Sequence, residues 1–170
     1  QRVFKIKSAG SSVFFKTKNN TVSSASDEDH RPKIRLIFDS PSNLHRQILL
    51  GADDKTTNLF DLGYDAPMID VNGDDMYWKL GDVKFVIQAV PDFNANQIIP
   101  LGIKVATLGL STIKIDALEN VPESTEIYLF DNITGLYHDI KNVDFTISLP
   151  IGEYDNRFSL RFAKEALNIG

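Results

Sequence analysis

No cysteine occurs anywhere in the 170 residues. That absence excludes disulfides, thiolate-bound zinc, iron–sulfur clusters and thiol nucleophiles. It also suits an exported protein, for which a stray thiol is a liability. Positive charge is in short supply: 18 Lys and Arg stand against 23 Asp and Glu, giving a formal charge of −5 and a pI near 5.1. Nucleic acid and anionic lipid surfaces both need a basic face, so neither is expected as the main partner. No apolar run approaches the roughly 18 residues of a membrane-spanning helix, so no membrane insertion of that kind is expected. His30, His45 and His138 are isolated from one another, with no metal-ligand spacing, and read as surface or turn residues. There is no G-x-S-x-G elbow and no glycine-rich phosphate loop; Gly10, Gly51 and Gly63 are single turn glycines. Glu119, Glu123, Glu126 and Glu153 sit at turns or strand ends, where a solvated surface is the default. The expectation is therefore a domain that is not an enzyme.

What the chain does have is apolar residues at period two. Ile34, Leu36 and Phe38 repeat in this way, as do Val83, Phe85 and Ile87, Ile113 and Ile115, and Phe145, Ile147 and Leu149. Phe158, Leu160 and Phe162 continue the pattern, and Phe4 and Ile6 show it near the start. Successive side chains on a strand point to opposite faces, so each run buries one face and wets the other. Gly81-Asp82 marks a two-residue hairpin, and Asp131–Gly135 marks a longer turn. Turn signals recur about every ten residues, as in a sandwich. The fold expected is all-β: an antiparallel two-sheet β-sandwich, jelly-roll-like, of roughly ten strands. The candidates for a helical turn are 56–62 and 163–167.

Organisation follows from composition. Residues 1–17 read as short N-terminal strands, and 18–32 as a polar loop or linker rich in Ser and Asp. Residues 33–162 form the main β-sandwich, and 163–170 a C-terminal connector. Gln1 opens directly into RVFKIK, which reads as a mature or excised piece of a longer chain.

The densest chemistry lies between Gly51 and Asp75, where Asp53, Asp54, Asp61, Asp65, Asp70, Asp74 and Asp75 cluster with one base, Lys55. Aspartate is the short carboxylate that turns tolerate and hard cations favour. An EF-hand is rejected, because Gly73 falls one place early and the position due a bidentate glutamate is Gly81. Two readings of these seven aspartates stay open: a sandwich-loop calcium site, or turn capping by dense hydrogen bonding. A connection this long stays ordered only if something holds it. Trp78, Tyr77, Tyr64 and Phe60 form the candidate aromatic platform for a sugar ring. Tyr77 and Trp78 are adjacent, so one is expected inward, Trp78, and the other at least partly exposed. Asn19-Asn20-Thr21 and Asn132-Ile133-Thr134 match glycosylation sequons, which matter only in a eukaryotic secretory setting.

Three stretches taken together carry a resemblance: HRQILLGADDKTTNLFDLGYDAPMID at 45–70, DDMYWKLGDVKFVIQAVPDFN…IIPLGIKV at 74–105, and LENVPESTEIYLFDNITGLYHDI…FTISLPIGEYDNRFSLRF at 118–162. Their order resembles the β-rich region just upstream of the C-terminal sorting domain in large Bacteroidetes surface proteins exported by the type IX secretion system. The resemblance implies an extracellular or outer-membrane surface location and a multidomain parent. It implies a signal peptide upstream in the parent and a sorting domain soon after Gly170. The function it leads to expect is a non-catalytic module acting as spacer or docking domain against its neighbouring domains. The alternative is a carbohydrate-binding module that recognises a polysaccharide, with structural calcium.

Overall fold

The structure, a computed structural model, describes residues 28–165. The chain divides into two compact units, Gln1–His30 and Arg31–Gly170. The strands expected over 1–17, residues 18–27 of the loop expected over 18–32 and residues 166–170 of the connector lie outside the described residues.

The second unit is all-β, with no helix among the described residues. Its strands are β1 (Lys33–Asp39), β2 (His45–Ala52), β3 (Ala66–Pro67), β4 (Asp75–Leu80), β5 (Val83–Val90) and β6 (Ile98–Val105). They continue with β7 (Leu110–Glu119), β8 (Tyr128–Asp131), β9 (Leu136–Asp139), β10 (Phe145–Ser148) and β11 (Gly152–Arg161). Residues 56–62 are irregular backbone with a bend and form no helical element. Leu80 pairs with Val83, so Gly81-Asp82 is the two-residue hairpin expected. Gly81 takes φ of 55° at its first central position, the conformation that favours glycine there.

Hydrogen bonding joins the strands in the order β10-β7-β1-β2-β5-β4-β6-β11-β8-β9, with β3 added beside β5. The expectation of purely antiparallel pairing is corrected at one place: β2 and β5 run parallel, Leu49 opposite Ile87 and Gly51 opposite Ala89. The sheet curls nearly into a barrel, and chain geometry requires it. A flat path of ten strands would set its edges about 43 Å apart, at about 4.8 Å per spacing. Its two edge strands, β9 and β10, are joined by only the five residues 140–144, which reach about 21 Å from Asp139 to Phe145 at full extension. The His138 and Phe145 rings meet across this gap, 4.5 Å between centroids.

Most of the period-two residues from Ile34 onward fill the inside of this curl, while Val83 is exposed and Ile87 lines the outward cleft. Ile34, Leu36, Phe38, Phe85, Ile113, Phe145, Phe158, Leu160 and Phe162 belong to one buried cluster, with Ile115 and Ile147 packed against it. Ile48, Leu50, Met76, Trp78, Ile99, Leu101 and Ile103 complete it. Two irregularities bend the sheet. Asp116 is an extra residue of β7 opposite Arg35–Leu36. In β11 the pairing jumps from Tyr154 to Phe158, which frees Asp155–Arg157 from the ladder to Ile103–Leu101. Extra residues of this kind re-aim side chains.

Candidate functional site

Five of the seven aspartates of the 51–75 stretch are engaged by backbone amides, a hydroxyl or an arginine. Asp53 accepts the Lys55 amide at 3.0 Å, and Asp61 accepts the Thr57 amide at 2.6 Å and the Thr57 hydroxyl at 3.1 Å. Asp65 bridges farther: one oxygen accepts the Asp61 amide and the other the Ala89 amide of β5, both at 2.7 Å. That staple fixes the arch of the connection over β5. Asp74 is buried and accepts the Ala106 and Thr107 amides at 2.6 and 2.9 Å. Burial pushes its carboxyl upward, but hydrogen bonds from Ser42 and from these amides outweigh it and hold the group at about 2.

Asp75 has no exposed surface and takes both Arg46 nitrogens, Nε at 2.7 Å and an Nη at 2.9 Å. It also accepts the amides of Asn72 and Met76. Burial acts upward on Asp75, and the Arg46 guanidinium reverses the sign, so its carboxyl sits below the ordinary range. Asp54 and Asp70 are exposed. Among the described residues, no three His, Asp or Glu side chains converge to hold a metal ion. Asp53, Asp61, Asp65, Asp74 and Asp75 thus tie the stretch down by hydrogen bonds to backbone amides and to Arg46, and nothing in the geometry adds support to a calcium site on the seven aspartates.

The aromatic candidates separate. Trp78 lies inward as expected, its indole donating to the Leu49 carbonyl at 2.9 Å. Tyr77 does not emerge on the other face; it too has no exposed surface. The reason lies in β6, where Gly102 sits opposite Tyr77 and leaves room for the ring to lie flat over the strand. The Tyr77 hydroxyl then donates to Asp155 at 2.7 Å, and Lys84 covers the ring at 4.4 Å from its centroid. Neither residue offers a face to a sugar. Phe60 is half-exposed and leans on Phe85, ring centroids 5.9 Å apart. Tyr64 alone faces a concavity.

That concavity is a cleft of about 170 Å³ on the outward side of the sheet, where β1, β2 and β5 run side by side. The parallel pairing sets Gly51 against Ala89 and Leu49 against Ile87, while the alternate residues Ile48 and Leu50 face the core. Glycine and alanine as neighbours leave a depression between larger side chains. A Cβ placed on Gly51 meets no atom within 4 Å. Tyr64 and Gly63 form one wall, delivered by the Asp65 staple, and Arg31, Lys33 and Asp53 complete the rim. Arg31 lies 3.7 Å from Asp53, and Lys33 and Arg35 share Glu119 at 3.4 and 2.7 Å. Hydrogen bonding from Arg35, more than the opposing desolvation, holds Glu119 below the ordinary carboxylate range.

Of the residues singled out from sequence, the cleft brings together Tyr64 and Asp53; Phe60, Tyr77, Trp78 and the remaining aspartates lie elsewhere. Lys33, Gly51 and Ala89 were not legible as site residues, because the antiparallel β1–β2 register sets Lys33 beside Gly51 and only the parallel β2–β5 register adds Ala89. The one available signal was the pair of outward cations, Lys33 and Arg35, alternating with the buried residues of β1.

The model of one family, the Domain of unknown function DUF8693, matches residues 3–162, and the chain belongs to that family. No curated protein and no solved structure matches the chain.

Proposed function

Starting from membership of that family, we propose that the chain is a non-catalytic module of a secreted, cell-surface multidomain protein, acting as spacer or docking domain beside its neighbours. The observation that carries this reading is the use to which the acids are put. Asp65, Asp74, Asp75, Asp131 and Asp155 all hold strands or loops in place, two of them through bidentate arginine pairs. Carboxylates so engaged stiffen a scaffold and are poor general acids or bases, whose work requires a proton to be given and taken. In this reading the two halves of the curled sheet face each other as the layers of a jelly-roll-like sandwich. The surface location rests on the resemblance to regions preceding type IX sorting domains. The full open reading frame tests it: a leader upstream and a sorting domain after Gly170 are expected. A start codon immediately before Gln1 with no leader would sink the surface assignment.

A second reading, carbohydrate binding, draws support from the cleft beside Tyr64, which is lined mainly by apolar groups with a few polar ones at its rim, as small-molecule sites are. A glycan array probed with the purified chain separates the two readings. Saturable binding to a glycan class favours the second, and a blank array favours the spacer.

A further inference from the structure

We infer that a hollow on the outward face of β6, β11 and β8 is a binding site for one uncharged hexopyranose ring. The inference rests on the carbohydrate reading but places the ligand away from the Tyr64 cleft. The hollow holds about 240 Å³, less than a drug-sized pocket, which suits a single ring. Its floor follows from register. Ser159 lies between Pro100 of β6 and Phe130 of β8, while Ile99, Leu101, Leu129, Phe158 and Leu160 beside them face the core. A small residue between two rings leaves a depression with apolar sides, and half-exposed Ile98 extends one wall. Apolar walls of this kind cover the C–H face of a sugar. Ser159 and Arg161 are paired on both sides, to β6 and to β8, so no free strand edge is offered to a peptide here.

Charge pairing gives the neutrality. Asp155 lies 3.0 Å from Lys79 and Arg157 lies 2.8 Å from Asp131. Arg161 pairs with Glu165, and its guanidinium lies over the Phe130 ring, 4.1 Å from the centroid. Each ionised group lining the hollow thus has its counter-charge within the chain, and a charged ligand would have to break a pair. Hydrogen bonding gives the hydroxyls. The side chains of Asn132 and Asn156 stand exposed at the rim and bond to nothing among the described residues. Each amide offers both a donor and an acceptor, as neighbouring hydroxyls require. Their backbone is already fixed. β11 leaves its ladder over Asp155–Arg157, the Asn132 amide donates to the Arg157 carbonyl at 2.8 Å, and the bidentate Arg157–Asp131 pair ties bulge to turn. A rim held in this way needs little backbone ordering on binding.

The test is titration calorimetry of the whole chain with methyl glucoside, methyl galactoside and galacturonate. It is repeated on the double variant Asn132→Ala, Asn156→Ala and on Gly51→Val, which fills the floor of the Tyr64 cleft without meeting a neighbour. Neither asparagine side chain holds another group, so the double variant should melt close to the parent. A neutral glycoside bound more tightly than galacturonate, weakened at least roughly ten-fold by the double variant and untouched by Gly51→Val, supports both the inference and the carbohydrate reading. Binding lost in Gly51→Val and kept in the double variant overturns the inference and leaves the carbohydrate reading at the Tyr64 cleft. Galacturonate bound as tightly as the neutral glycosides also overturns it, with the carbohydrate reading intact. Absence of binding by either methyl glycoside overturns the inference, and a blank glycan array then removes the carbohydrate reading as well. Should the double variant melt markedly lower, Asn156→Ala alone decides in the same way.

Discussion

Replacing Gly102 by alanine should be among the most damaging single-methyl additions available to this chain. The new Cβ would lie 2.1 Å from Cε2, 2.7 Å from Cδ2 and 2.9 Å from Cζ of Tyr77. Ordinary carbon contacts start near about 3.5 Å, so the ring must retreat by more than ~1 Å. It has nowhere to go. Lys84 sits 4.4 Å from the ring centroid, and the hydroxyl is tied to Asp155 at 2.7 Å. Overpacking of this kind costs about 1–3 kcal/mol. Losing a hydrogen bond to a charged group adds about 1.5–3 kcal/mol. The alanine returns about 0.4–1 kcal/mol by restricting the unfolded chain. A net loss of roughly 2–4 kcal/mol remains, which lowers the melting temperature by about 5–15 °C for a chain of this size.

Thermal unfolding followed by circular dichroism measures the loss, and a double-mutant cycle locates it. In a Tyr77→Val background, already destabilised by its own cavity, Gly102→Ala should cost less than about 0.5 kcal/mol. A Gly102→Ala protein melting within about 2 °C of the parent would refute the reasoning, as would an equal loss in both backgrounds.

Removing Arg46 as Arg46→Ala leaves the Asp75 carboxylate buried and half-satisfied, and should cost about 3–5 kcal/mol in urea unfolding; a loss below about 1 kcal/mol would count against it. Asp74, at about 2, and Asp75, Asp131 and Asp155, all lowered by their partners, have folded values below the unfolded one. Their stabilisation is therefore complete above about pH 4 and drains away as the pH falls toward 2. Melting temperatures across that window should fall steeply, and less steeply in Asp74→Asn, whose side chain does not titrate. Because the 51–75 aspartates are committed to amides and an arginine, the melting curve in millimolar calcium should overlay that in chelator; a calcium-dependent rise would revive a metal site.

Alternation of side chains is a local property, so the sequence alone determined the strands, most of the core and both hairpin turns. Ile34, Ile113, Phe158 and Leu160 alternate with polar neighbours and are buried; Gly81-Asp82 closes its hairpin as the residues demand. It also determined that 51–75 needed a tether, since seven short carboxylates in one connection must bond something. Which groups the carboxylates bond depends on where Ala89, Ala106 and Arg46 come to lie, and only the tertiary structure decided that. Likewise Tyr77 reads as the outward partner of Trp78 until Gly102 is seen opposite it. The parallel register of β2 and β5 pairs residues nearly forty positions apart through backbone bonds that no side-chain pattern encodes. The cleft of Gly51, Ala89, Lys33 and Tyr64 needs that pairing, which is why Tyr64 could be singled out from the sequence but Gly51, Ala89 and Lys33 could not.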